Sequence, residues 1–157
     1  MYYIDSIRGC VEVFDIDKEG ALGHRRELIG LSGEPGAGPD GLTVDADGGI
    51  WIAWWGASRV VRVNPRGTIE YTVHVPTPYV TSVAFGGPRL DQLFITTARL
   101  DDARGQQEGD GHAGDLFVAA APAGVTGLQT KRVTRSQCDS QGSLVWPSYI
   151  SKESARA

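Results

Sequence analysis

An all-β fold assembled from repeated antiparallel units is predicted by three features of this sequence. Glycine and proline are abundant together, at 21 and 8 of 157 residues, which favours many short elements joined by turns over a few long helices. Short apolar or alternating segments recur along the chain, each bounded by Gly, Pro or Asp, as strands are. These segments repeat with a period of about 45 residues, the range in which one repeat is a four-stranded propeller blade.

The first copy, MYYIDSIRGCVEVFDIDKEG at residues 1–20, has the layout of IWIAWWGASRVVRVNPRG from Ile50 onward. Each reads as a strand, a short break holding Ser and Arg, a second strand, and an acidic or Pro-containing turn that ends in Gly. Residues 1–4 correspond to residues 50–53, so the first unit opens on its second strand. The middle unit, about residues 40–76, is complete: a first strand at 41–44, a turn at 45–49, the paired strands from Ile50 and Arg59, and a fourth strand within 68–75. Its turn, Asp45-Ala46-Asp47-Gly48-Gly49, supplies the positive φ that a tight hairpin requires. In the third unit a strand at 82–85 and the turn Gly86-Gly87-Pro88 precede LFITTARL at 93–100. A polar insertion at 101–114 follows, and the strand GDLFVAAAPAG resumes from Gly114. From about Thr134 the repeat is lost and Ser and charge dominate, so residues 1–133 are expected to form the folded region and 134–157 a flexible tail.

Bulk chemistry narrows the function. The formal charge is −4 with no basic run, so the electrostatic footprint of a nucleic-acid partner is missing, and small neutral or weakly charged ligands are the expected partners. No stretch approaches the roughly 18 apolar residues of a membrane span, and the first residues carry neither a basic nor an apolar leader region; the cytoplasm is the expected compartment. Cys10 and Cys138 are far apart and outside any CxxC spacing, which disfavours a disulfide framework or a thiolate metal site. Cys10 is expected as a buried strand thiol.

The segment GPDGLTVDADGGIWIA at residues 38–53 resembles the PDG-x-x-x-D-x-x-G-x-[IL]-W-[VI]-A block of the SMP-30/gluconolactonase/regucalcin family. Flanking segments resemble that family in the same order: YYIDS and V-x-V-F-D-x-D at 2–17, R-V-x-R-x-x-P-x-G at 59–67, TSVAFGG at 81–87 and LFITTA at 93–98. The resemblance extends to Val133. It implies a partial six-bladed β-propeller of about three four-stranded blades, the outer two incomplete. It further implies a metal-dependent sugar-lactone hydrolase holding one divalent cation, Ca²⁺ or Zn²⁺, in the central channel. Of the three ligands the family uses, a Glu, an Asn and the Asp of the PDG block, only the last corresponds to a residue here, Asp40. The implied mechanism has the metal polarise the lactone carbonyl while Asp40, as ligand or general base, prepares a water for attack.

An Asp just ahead of an innermost blade strand points into the channel mouth, where carboxylates from several blades converge on a hard cation; one carboxylate alone cannot supply the roughly six to eight oxygens Ca²⁺ takes. The competing reading of Asp40 is an Asx-type turn residue ahead of Gly41. The expectation is therefore a lactonase fragment, weak or inactive by itself, with a non-catalytic propeller fragment or NHL-like binding module as the alternative. A half-ring leaves open faces and strand edges. Two copies of about three blades would make six, so a homodimer is an expected mode of association.

Other signals carry less. Asp15-Ile16-Asp17-Lys18-Glu19-Gly20 has the start of an EF-hand loop, but the twelfth position is Arg26, so a hairpin turn is expected. His24, His74 and His112 are isolated and lack zinc-site spacing. Asp101, Asp102, Glu108 and Asp110 belong to the insertion, expected as a solvated loop. Ser82 stands outside any GxSxG setting. Trp54 and Trp55 end a strand and are read either as a sugar-facing rim or as ordinary blade packing. The family commonly has WGG where this chain has Trp55-Gly56-Ala57.

Overall fold

The computed structural model describes residues 1–31, 33–101, 107–108 and 111–129, which form three larger antiparallel sheets. The first sheet comprises β1 (Tyr2–Asp5), β2 (Cys10–Ile16) and β3 (Leu22–Gly30) in that order. Its β2–β3 turn is the segment with EF-hand likeness, and it is a hairpin. The Asp17 carboxylate accepts the amides of Glu19 at 3.0 Å and Ala21 at 2.8 Å.

The second sheet holds β4 (Gly38–Val44), β5 (Ile50–Trp55), β6 (Arg59–Val63) and β7 (Ile69–His74), four strands in chain order. The third contains β8 (Val80–Gly86), β9 (Gln92–Thr97) and β12 (Leu116–Ala120), ordered β12-β9-β8. Between β9 and β12 the insertion carries a two-residue ladder, β10 (Leu100–Asp101) against β11 (Gln107–Glu108), where the sequence predicts only a loop. Asp102, Asp110, Cys138 and the predicted tail 134–157 lie outside the described residues.

Two cores form on either face of the middle sheet. Side chains alternate across a strand, and in β5 both sets are buried: Ile50, Ile52 and Trp54 pack with Val11 and Leu31 of the first sheet and its following loop, while Trp51 and Ala53 pack with Val80, Val83, Leu93 and Ile95 of the third. Full burial of each large apolar side chain contributes roughly 1.5–3 kcal/mol, so β5 is the chief anchor of the assembly.

Asp45, next after β4, fastens this arrangement. Its carboxylate is 1% exposed and accepts the amides of Asp47 (3.0 Å) and Gly49 (2.8 Å), the Trp51 indole Nε1–H (2.9 Å) and the Arg62 Nε–H (2.6 Å). Arg62 also pairs with Glu70 on β7. A Cβ at position 49 would sit 2.4 Å from the Arg62 guanidinium, so a side chain there would displace Arg62 from Asp45. Burial alone would push the Asp45 carboxyl up, but hydrogen bonds from Arg62, Trp51 and the Gly49 amide, with the Arg62 charge, hold it below the usual carboxylate range.

The sheets converge at one edge. β4 and β8 are edge strands of their sheets and pack on each other, and a Cβ on Gly41 would meet the Ser82 Oγ at 2.4 Å and the Thr81 carbonyl oxygen at 2.7 Å. The opposite edge strand, β7, is largely exposed. Sheets that touch at their first strands and expose their last are propeller blades about an axis, with β4 and β8 innermost.

Candidate functional site

β4 begins with Gly38-Pro39, and an edge strand tolerates Pro because one side of its ladder has no partner. Pairing with β5 then slips: Pro39 opposes Trp54 and Leu42 opposes Ile52, so Asp40 and Gly41 together face Ala53. That two-against-one count is a β-bulge, a device that re-aims side chains. Asp40 is therefore inside the innermost strand, not ahead of it as the sequence predicts. The turn reading does not describe it.

The bulge places Asp40 in the wall of an open cavity of about 430 Å³ that it shares with Ser6 from the β1–β2 turn, Gly36, Pro39 and Trp55. Burial pushes the Asp40 carboxyl above its ordinary value, and among the described residues no charge or hydrogen bond acts against it. A half-buried carboxylate beside open space, with no partner among the described residues, is poised to accept a proton or a ligand.

The two tryptophans have different fates. Trp55 lines the cavity, its ring 4.8 Å from that of Tyr79. Trp54 is core: it is 7% exposed and lies beneath the Arg59 guanidinium, 4.2 Å from its ring centroid. Sequence reasoning missed Ser6 and Gly36, which reach the cavity only through tertiary packing.

Other sequence candidates fall elsewhere. Ser82 packs on Gly41. His24 pairs with Asp15 on the exposed β2–β3 hairpin, and His112 contacts Asp115. Cys10 is 2% exposed, its thiol pushed up by burial, as a strand thiol in a core should be. Among the described residues no three His, Cys, Asp or Glu side chains come together in a group able to hold a metal ion. Asp40 is thus the single carboxylate among the described residues lining the cavity, and those residues alone do not fit a Ca²⁺ or Zn²⁺ site.

Residues 1–99 match the family described as SMP-30/Gluconolactonase/LRE-like region. The chain belongs to this family. Among its relatives, pentonolactonase XacC of Haloferax volcanii is 42% identical over 119 residues, covering 75% of this chain and 40% of that protein. Regucalcin of Xenopus laevis is 39% identical over 100 residues, 62% of this chain and 33% of that one. The solved structure of regucalcin from Agrobacterium tumefaciens, described as a calcium-binding protein, superposes with a TM-score of 0.67 at 30% identity over 81% of this chain and 43% of its own. This confirms the family and the partial propeller that the sequence predicts. The chain spans less than half the length of each of these relatives. Among the described residues no helix is long and apolar enough to cross a membrane.

Proposed function

We propose that this chain supplies one catalytic carboxylate, Asp40, and one wall of the substrate cavity to a sugar-lactone hydrolase, and that alone it hydrolyses lactones weakly. The observation that carries this reading is the burial-raised Asp40 carboxyl at the axis-facing edge of β4, beside a cavity walled by Trp55. The names of relatives such as the pentonolactonase support the substrate class. The chemistry assigned to this chain is a proton transfer. Water attacks the lactone carbonyl carbon while Asp40 accepts its proton, the ring C–O bond breaks, and the released alkoxide takes up a proton to leave the open hydroxy acid. No step is assigned to a cation, because the described residues bring only one carboxylate to the cavity; the Ca²⁺ or Zn²⁺ of the family would need donors from outside them. A cytoplasmic setting suits the buried free thiol of Cys10.

The test is a pH-stat assay of gluconolactone and pentonolactone opening, with and without added Ca²⁺, Zn²⁺ or Mn²⁺, on the full chain and Asp40→Ala. Weak turnover that disappears in Asp40→Ala is expected. Robust cation-driven turnover would overturn the weakness. Turnover that survives Asp40→Ala would overturn the assignment to this carboxylate. A second reading, a non-catalytic propeller fragment or NHL-like binding module, is favoured by the lack of a metal-holding cluster among the described residues, and no turnover under any condition would establish it.

A further inference from the structure

We propose that Gly38 and Trp55 form a seat for a closed sugar ring and make the cavity selective for cyclic over open-chain polyols. The inference deepens the lactone reading and rests on it for the choice of ligand. Gly38 opens β4 and pairs directly with Trp55 at the end of β5. Directly opposed residues of an antiparallel pair carry their side chains next to each other on one face, so a side chain at position 38 would lie beside the indole. Glycine leaves that place empty, and both residues line the cavity with Asp40, two positions further along β4. All three belong to the four-stranded middle sheet. Nothing in the backbone demands glycine at position 38. Its φ is not positive, and a Cβ there would meet only the Ser6 carbonyl oxygen, at 3.5 Å, an ordinary van der Waals contact. Gly41 is the contrast, since a Cβ there would lie 2.4 Å from the Ser82 Oγ. Gly41 lets two strands approach, whereas Gly38 keeps a space open.

What fits that space follows from its walls. Trp55 is half-buried and held: its backbone bridges to Tyr79, and its ring lies 4.8 Å from the Tyr79 ring at an interplanar angle of 41°. The indole is therefore a fixed plane, not a side chain free to fill the gap itself. Its face carries the negative lobe of the π-system, which suits the electropositive C–H groups on one face of a sugar ring. The border of the cavity is polar. The loop before β4 is pressed onto the turn after Trp55, where a Cβ at Gly56 would lie 2.5 Å from the Gly36 carbonyl oxygen. That border is thus peptide backbone, joined by the Ser6 hydroxyl and the Asp40 carboxyl, and such groups can take sugar hydroxyls as hydrogen-bond partners. The volume of about 430 Å³ lies in the range of small-ligand sites. A five- or six-membered aldonolactone presents both matching surfaces at once, a C–H face and a rim of hydroxyls. An open-chain polyol must be ordered before it presents either, at a cost in conformational freedom.

Calorimetric titration of the full chain with two matched, unreactive probes tests this. One is gluconolactam, a six-membered ring in which nitrogen replaces the lactone ring oxygen; the other is open-chain gluconamide. The lactam is expected to bind roughly tenfold more tightly. Gly38→Val places a side chain in the seat and should erase that preference, with Gly38→Ala intermediate, a grading by side-chain size that unfolding would not give. Trp55→Leu should lose the preference and Trp55→Phe should keep most of it. A far-UV spectrum unchanged from the parent checks that each variant folds. Equal affinity for the two probes, no measurable binding of the lactam, or a preference that ignores both positions would each overturn the seat. The hydrolase reading fails separately. A chain that prefers the lactam but opens no lactone sinks that reading and leaves the seat, whereas Asp40-dependent turnover with lactam binding blind to Gly38 and Trp55 does the reverse.

Discussion

Asp40 and Asp45 flank one short stretch of chain, yet their carboxyl groups sit in opposite surroundings. Asp45 is held below its ordinary pKa by donors that outweigh burial, so its contribution to stability is fully present above the unfolded value of about 3.9 and is lost as pH falls through the lower folded value. Asp40 is raised by burial alone, so ionising it costs stability as pH climbs from the unfolded value through the folded one, and the folded state favours the protonated form. Chemical denaturation from pH 3 to 7 should separate the two. Arg62→Met strands a buried charge and should cost about 3–5 kcal/mol at pH 7, with much less loss where Asp45 is protonated. Asp40→Asn should stabilise the chain at pH 7, with the gain fading below about pH 4. Asp40 was legible in the sequence through its PDG block. The role of Asp45 was not, because an Asp ahead of Asp-Gly-Gly reads as turn chemistry, and its partner Arg62 lies 17 positions away across two strands.

The element that presents Asp40 is β4, and its geometry depends on close approach to β8. A methyl group at position 41 would intrude on the Ser82 side chain and the Thr81 carbonyl, atoms set on an opposing strand rather than at the end of a flexible side chain. Gly41→Ala should therefore cost about 1–3 kcal/mol by overpacking, measured as a lowered denaturation midpoint with unchanged slope; a neutral result would show that the inner strands are not in this contact. Most strands were readable from alternation and turn residues, since both properties are local. The start of β4 was not. A bulge breaks the alternation that marks a strand, so Gly38 to Asp40 read as loop, and the sequence places Asp40 outside the strand that carries it. The β10–β11 ladder escaped for a related reason: two paired residues leave no periodicity to detect.

Across the whole molecule, the repeat alone revealed that the chain holds about three blades, because the period survives where individual residues diverge. How the three sheets lie against one another was not legible, because it depends on register and burial and the period carries neither. The middle sheet is packed on both of its faces, with one set of β5 side chains in each core, so β5 couples the first sheet to the third and burial lost there weakens both contacts at once.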